Sequence, residues 1–413
     1  MFTKIPIDFP EKIALVHEWF SSRAKGGAEQ VVESIDQYLL EKGTRADIYS
    51  LIDSQSDASF NWLSNRTINT SFIQNIPFGI KHVQQFLPLL PFAIEQLNLD
   101  DFPLVISSNH LVAKGVLTSP DQLHVSYIHT PVRYAWDQMN IYLKHSLLSK
   151  FGAESIIRYQ LYKLRQWDQL SAQRVDLLIA NSSFTARRIE KYWGRTSTIL
   201  HPPVNINRFR FNQNREDFYL CLSRLVPNKR VDLVVNAFNE LQLPLLVVGD
   251  GPEKNHLRKI AGPSVKLLGR VSSKEVEKLM ESCRAFVYAG VEDFGIAPVE
   301  AMASGAPVIA YARGGLLDSV RCLSSKLSSP TGILFPKQSV RSMVDAVCTF
   351  ENSRLWRKFS SEEIRLWAEN FSEVSFKSNF DLILQKAWRD HSKSLQCSSS
   401  LMLENTLKVP EDI

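Results

Sequence analysis

A chain of 413 residues is too long for one ordinary core and predicts two domains. Its apolar content of 44% and charged content of 22% are those of a soluble globular protein, and a net charge of +5 is too small to mark a nucleic-acid binder. Five scattered cysteines, Cys221, Cys283, Cys322, Cys348 and Cys397, lack metal-ligand spacing and read as reduced structural thiols.

The first ten residues lack the apolar core of a secretion signal, and no apolar run approaches bilayer length, so the expected location is cytoplasmic. Residues 13–17 read as a short strand. Arg23-Ala-Lys-Gly-Gly-Ala-Glu follows, and then a helical pattern carrying Val31, Val32, Ile35, Leu39 and Leu40. Gly26 and Gly27 permit close backbone approach of a ligand where a helix begins, although glycine pairs are also common in ordinary βα turns. Apolar runs at 46–51, 104–107, 125–129 and 177–180 continue the alternation of a doubly wound domain, whose strand ends hold ligands. His110, His129 and Asn181 stand at such ends, while Ser183 and Thr185 read as helix N-caps. The stretch 76–92 is apolar but broken by three prolines, which fits a membrane surface, an acceptor groove or an irregular segment on the core. Residues 138–200 carry ten Lys or Arg against four acidic residues, with Tyr142, Tyr159, Tyr162 and Trp167 interleaved. Such a face suits anionic lipid or a lipid diphosphate, or is simply solvated.

After His201-Pro-Pro-Val-Asn the pattern restarts, which marks a linker. A strand over 217–223 ends at Arg224, and Arg224 and Lys229, five apart around a proline turn, can converge on a diphosphate. Strands over 245–249 and 265–269 follow. Gly249-Asp-Gly251 has Lys254 where a dinucleotide fingerprint needs its third glycine. A buried strand ending near Ala289 then leads through a glycine-bearing loop into a helix opening around Pro298, and a further strand covers 307–310. Glu292 and Glu300 flank that loop. Between them Phe294, Gly295 and Ile296 offer backbone N–H groups at a helix N-terminus, where a phosphate fits.

The loop from Gly290 to Gly315 closely resembles the nucleotide-sugar loop of retaining glycosyltransferases of family 4. The resemblance covers nearly everything from residue 12 to about 388 and is strongest in the second half. It implies that Glu292 contacts the donor hexose, that Glu300 contacts the ribose, and that Arg224 and Lys229 are the donor-diphosphate pair. Gly26 and Gly27 would touch donor phosphate from the opposite domain, and Gly269-Arg270-Val271 would meet the nucleotide base through backbone groups. His129-Thr-Pro-Val-Arg-Tyr-Ala-Trp-Asp looks like a signature of bacterial polysaccharide and O-antigen mannosyltransferases in the family, which would set His129 beside the donor sugar and acceptor.

The expected fold is α/β, specifically GT-B: two facing Rossmann-like doubly wound domains with a C-terminal crossover helix. The first, 1–200, would bind acceptor and the second, 201–370, nucleotide sugar; 371–390 would be the crossover helix and 391–413, Ser-rich then acidic, a mobile tail. The expected reaction is retaining transfer of a hexose, mannose from GDP-mannose being the donor favoured, to a hydroxyl of a lipid-linked saccharide. No Asp-x-Asp occurs, so neither an essential metal nor a cofactor is expected, and the expected contacts are donor, acceptor and an anionic membrane face. The alternatives are a UDP- or ADP-sugar enzyme, including epimerase or synthase chemistry, and a non-catalytic carbohydrate- or nucleotide-binding scaffold.

Overall fold

A computed structural model describes residues 9–21, 26–54, 61–63, 66–77, 79–80, 83–140, 143, 154–323 and 329–406. The chain divides into two compact units, the first formed by 1–181, 185–200 and 377–413, the second by 182–184 and 201–376.

The first unit is built on a parallel sheet of seven strands: β1 (Ile13–Ser21), β2 (Asp47–Ser54), β3 (Ile68–Thr70), β4 (Leu104–Asn109), β5 (Leu123–Ile128), β6 (Leu177–Ala180) and β7 (Thr198–Ile199). Their order is β3-β2-β1-β4-β5-β6-β7. Every residue of β4 and β5 is buried, the pattern of parallel strands covered on both faces. Because β2 follows β1 outward on one side and β5 follows β4 outward on the other, the winding reverses between β1 and β4, which opens a crevice at their carboxyl ends. Two strands run further than the apolar pattern indicates: β1 continues to Ser21 and β4 to Asn109. The extra residues include the buried polar Glu18 and Ser108.

Beyond β4 the chain is pinned by a buried charge. Lys114 is fully buried, its Nζ donating to Asp168 Oδ1 at 2.7 Å and Ser171 Oγ at 2.9 Å. Asp168 Oδ2 in turn accepts from the indole N–H of Trp136 and of Trp193, each at 2.8 Å. Burial lowers the Lys114 pKa and Asp168 opposes the shift. Since every polar atom of the pair has a partner, the network fixes the segment after β4 against the helix Glu154–Gln173.

From Lys377 on, the last helix groups with the first unit. Fully buried Phe380 packs edge-on against Tyr38, ring centroids 5.4 Å apart, a burial that stabilises by about 1.5–3 kcal/mol. The Tyr38 hydroxyl donates to Asp381 at 2.6 Å, and Lys42 pairs with the same carboxylate at 2.9 Å. The helix runs Glu373–Thr406. It therefore continues through much of the stretch from 391 that composition marked as a mobile tail. No glycine or proline interrupts residues 373–406, and a run without breakers propagates a helix whose first turns are already anchored.

The second unit is a parallel sheet of six: β8 (Tyr219–Leu222), β9 (Leu245–Val248), β10 (Val265–Gly269), β11 (Ala285–Tyr288), β12 (Val308–Tyr311) and β13 (Gly332–Phe335), in the order β10-β9-β8-β11-β12-β13. Here the winding reverses between β8 and β11. Its core joins the sheet to helices on either side through Val234, Phe238, Phe286, Met302, Val347 and Phe350, all wholly buried. Among the described residues no helix is long and apolar enough to cross a membrane.

Candidate active site

In the second unit the sequence-selected residues gather at the carboxyl ends of the parallel strands. Arg224 and Lys229 follow β8, Arg270 and Val271 follow β10, and Glu292 follows β11. The loops after β8 and β11, neighbours at the reversal, come into direct contact. Lys229 Nζ donates to Glu292 Oε1, and the Tyr288 hydroxyl donates to the same oxygen. Gly290 makes this approach possible, since a Cβ there would lie 3.1 Å from the Lys229 backbone. Burial, with Glu292 beside it, pushes the Tyr288 phenol well above its ordinary pKa, so it stays a donor. Arg224 is exposed, and its guanidinium makes no hydrogen bond or ion pair among the described residues. Arg230 instead pairs with Asp232 at 3.0 Å on the first turn of its own helix.

The loop after Glu292 enters the helix Ile296–Ala303 through Gly295, whose φ of 97° is open to glycine and strained for other residues. Glu292 itself bridges in parallel to Gly314, and Gly315 N donates to Glu292 O at 2.9 Å, which ties the loop to the start of the next crossover. The Phe294 side chain is buried against His201 and Phe371, with centroids 5.3 and 5.5 Å away, so its local role is packing. Glu300, inside the helix, faces Arg208, whose Nη1 lies 3.8 Å away while its Nε pairs with Glu277 at 2.8 Å. Burial raises the Glu300 pKa, Glu277 adds to the rise and Arg208 opposes it. Sequence spacing missed Tyr288 and Arg208. Tyr288 looks like an ordinary apolar strand residue, and Arg208 is far in sequence from the helix it faces.

In the first unit Gly26 caps the helix Gly27–Glu41, and its N–H donates to Glu29 Oε2 at 3.0 Å. One of the amides expected to be open to a phosphate is thus held by the carboxylate of its own helix. His129 follows β5. Its backbone N–H donates to Asn109 O at 2.8 Å, its carbonyl accepts from the Asn181 amide at 2.9 Å, and its Nε2 lies 2.8 Å from Ser108 Oγ. Burial pushes its pKa down to about 3, so the ring is neutral near pH 7. Ser183 opens a helix, but its hydroxyl donates to Asp318, and Thr185 lies buried in the helix; neither stands as an N-cap.

His17, Glu18 and His110 bring ligating atoms within 4.8 Å of one another, the spacing of a cation site. Both carboxylate oxygens are already engaged, however. Glu18 Oε1 accepts from the backbone N–H groups of His110, Leu111, Val112 and Ala113 at 2.7–3.1 Å, and Oε2 lies 2.8 Å from His110 Nδ1. The arrangement is a charge pair.

Two family models match in tandem, "Glycosyltransferase Family 4" over residues 25–208 and "Glycosyl transferases group 1" over 205–366. The chain carries a glycosyltransferase family 4 domain followed by a group 1 glycosyl transferase domain. Its fold is GT-B, with two Rossmann-like units, and the sheets of seven and six parallel strands bear out that expectation. Among the relatives, an uncharacterised glycosyltransferase of Methanocaldococcus jannaschii is 24% identical over 63% of this chain and 74% of its own length. A GDP-mannose-dependent alpha-(1-6)-phosphatidylinositol monomannoside mannosyltransferase of Mycobacterium tuberculosis is 30% identical over 42% of this chain, which spans 51% of that relative's length. Among solved structures, HepE of Anabaena in complex with UDP and glucose has a TM-score of 0.62 at 16% identity, over 91% of this chain and all of that one, a likeness of fold.

Proposed function

We propose that this family 4 glycosyltransferase moves mannose from GDP-mannose to a hydroxyl of a lipid-linked saccharide, with retention at the transferred carbon and without an essential metal. The observation that carries the reading is the contact of Lys229 with Glu292 where the loops after β8 and β11 meet, at the reversal of the second sheet. Arg224 and Lys229 hold the diphosphate and stabilise its charge as it departs, helped by the N–H groups of Phe294, Gly295 and Ile296 at the helix start. Glu300 accepts from the ribose hydroxyls and Glu292 from the hexose. Arg270 and Val271 meet the base. In the first unit, Gly26 and Gly27 serve donor phosphate and His129 serves the sugar. The sequence offers no convincing enzymic nucleophile, so the reaction follows front-face displacement, with the leaving diphosphate assisting.

Mannose and the guanine base rest on the named specificity of relatives that this chain matches over part of their length. A uridine donor is the second reading, supported by the fold likeness to HepE, which holds UDP and glucose. A panel of GDP-, UDP- and ADP-sugars with mass-spectrometric detection of product separates them: turnover with GDP-mannose alone supports the first reading, and turnover confined to UDP-sugars rejects it.

Peripheral contact with an anionic membrane belongs to the same proposal. In the first unit Phe72 and Phe92, centroids 5.7 Å apart, are exposed together, as are Ile80 and Leu89. On the helix Glu154–Gln173, exposed Ile156, Tyr159 and Tyr162 stand among Arg158 and Lys163. Aromatic and aliphatic side chains interleaved with cations suit a headgroup layer. Tyr142 and Phe78, read with these from sequence, lie outside the described residues. Co-sedimentation with anionic liposomes that weakens at high salt supports the contact, and equal recovery with and without anionic lipid rejects it.

A further inference from the structure

His17 on β1, His110 after β4 and His129 after β5 all feel the buried Glu18 carboxylate of β1, and they are not equivalent. His17 is fully buried, with Nδ1 3.1 Å from Ser108 O, and burial lowers its pKa in spite of Glu18 nearby. His129 is neutral for the same reason. His110 alone presents Nδ1 to Glu18 at hydrogen-bond distance, 2.8 Å. Burial would lower its pKa as well, but Glu18, with a smaller contribution from Glu29, outweighs the burial and raises it. Glu18 itself is held well below the usual carboxylate range: burial opposes this, and His110, His17 and the backbone N–H groups prevail. The charge of the cluster is therefore directed onto one imidazole.

That imidazole is also fixed in place. Its ring meets Trp19 edge-on, with centroids 4.7 Å apart at 87°. Its backbone belongs to the segment whose four successive N–H groups converge on Glu18 Oε1, and Lys114 anchors the end of that segment through Asp168. With Nδ1 committed to Glu18, Nε2 is left as the donor, and it makes no hydrogen bond among the described residues. The side chain remains 28% exposed, at the crevice where the winding of the first sheet reverses. A rigid imidazole whose charged form Glu18 favours, with one open N–H at such a crevice, suits an oxygen of a phosphate or diphosphate.

We propose that His110 is a phosphate-oxygen ligand of the first unit and that Glu18 is the positioning residue that orients it and keeps it charged. The inference deepens the function proposed above and rests on it only for the source of the phosphate. Two sources share this chemistry, the diphosphate of the donor and that of a lipid-linked acceptor.

Calorimetry on the full chain tests the proposal, with GDP as the donor probe and farnesyl diphosphate as the acceptor probe. H110Q should weaken binding of one of them about tenfold or more at about pH 6, and the ratio of variant to native Kd should shrink towards one as the pH rises to about 9. The sign follows from the charge: a cationic ligand acts fully below its folded pKa and is lost above it. Glu18, His17, Glu29 and His129 are the titratable groups facing it, and H110Q retains all four, so the ratio isolates His110. H110K, which keeps the charge, should recover part of the affinity and guards against a purely structural effect. A loss confined to GDP assigns the donor, and a loss confined to farnesyl diphosphate assigns the acceptor. Unchanged Kd values for both probes, or a loss that neither varies with pH nor recovers in H110K, overturns the proposal. Hexose transfer by the native chain is assayed separately. Its absence beside His110-dependent binding would reject the proposed function and leave this inference standing.

Discussion

Lys229 and Glu292 form an ion pair across the carboxyl ends of the adjacent strands β8 and β11. The residue proposed for the diphosphate is therefore already satisfied by the residue proposed for the sugar, and a bound donor has to exchange one partner for another. Arg224 has no such partner among the described residues. Arg224→Ala should then weaken nucleoside diphosphate binding about tenfold or more, the loss of a charge-assisted contact, and Lys229→Ala by less. Calorimetry on both variants checks the order, and a larger loss at Lys229 would show that the ion pair does not compete with ligand.

Glu300 should make donor binding depend on pH. Burial and Glu277 raise its folded pKa, so it protonates at a higher pH than an ordinary glutamate and loses its acceptor capacity towards a ribose as pH falls through that value. Arg208 opposes the shift. Arg208→Ala should therefore move the acid limb of nucleoside diphosphate affinity to higher pH. A limb that stays in place would mean that Arg208, 3.8 Å from the carboxylate, does not set its charge.

The buried pair Lys114–Asp168 predicts an effect on stability. Asp168→Asn leaves the ammonium without its counter-charge at a site closed to water, and should destabilise the first unit by about 3–5 kcal/mol. Denaturant unfolding monitored by tryptophan fluorescence is suited to this, since Trp136, Trp167 and Trp193 all adjoin the pair. A change under about 1 kcal/mol would show that water or a neighbouring group takes over from the carboxylate.

The sequence discloses those parts of the proposed site whose residues sit close together along the chain. Arg224 and Lys229 share one turn, Glu292 and Glu300 flank one loop, and the apolar runs before them announce buried strands. Contacts between distant segments leave no such trace. Glu18 meets the amides of 110–113 only after β1 and β4 pair, and β1 reads as ending at His17 because the charged Glu18 interrupts the apolar run. Arg208 meets Glu300 only once the second unit has folded. The short edge strands Ile68–Thr70 and Thr198–Ile199 carry too few residues for a period to show. The last helix outran its apolar pattern, because no glycine or proline interrupts residues 373–406.

The central claim, a nucleotide-sugar site after β8 and β11, is tested most directly by calorimetric titration of E292Q and E300Q with the nucleoside diphosphate and with the complete sugar donor. Glu300 is assigned to the ribose, so E300Q should raise the Kd of both ligands. Glu292 is assigned to the sugar, and its loss also frees Lys229. E292Q should therefore leave nucleoside diphosphate binding unchanged or tighter and weaken only the additional affinity that the hexose brings. If E292Q weakens nucleoside diphosphate binding as much as E300Q does, the two carboxylates do not divide sugar from ribose, and the account of the site is wrong.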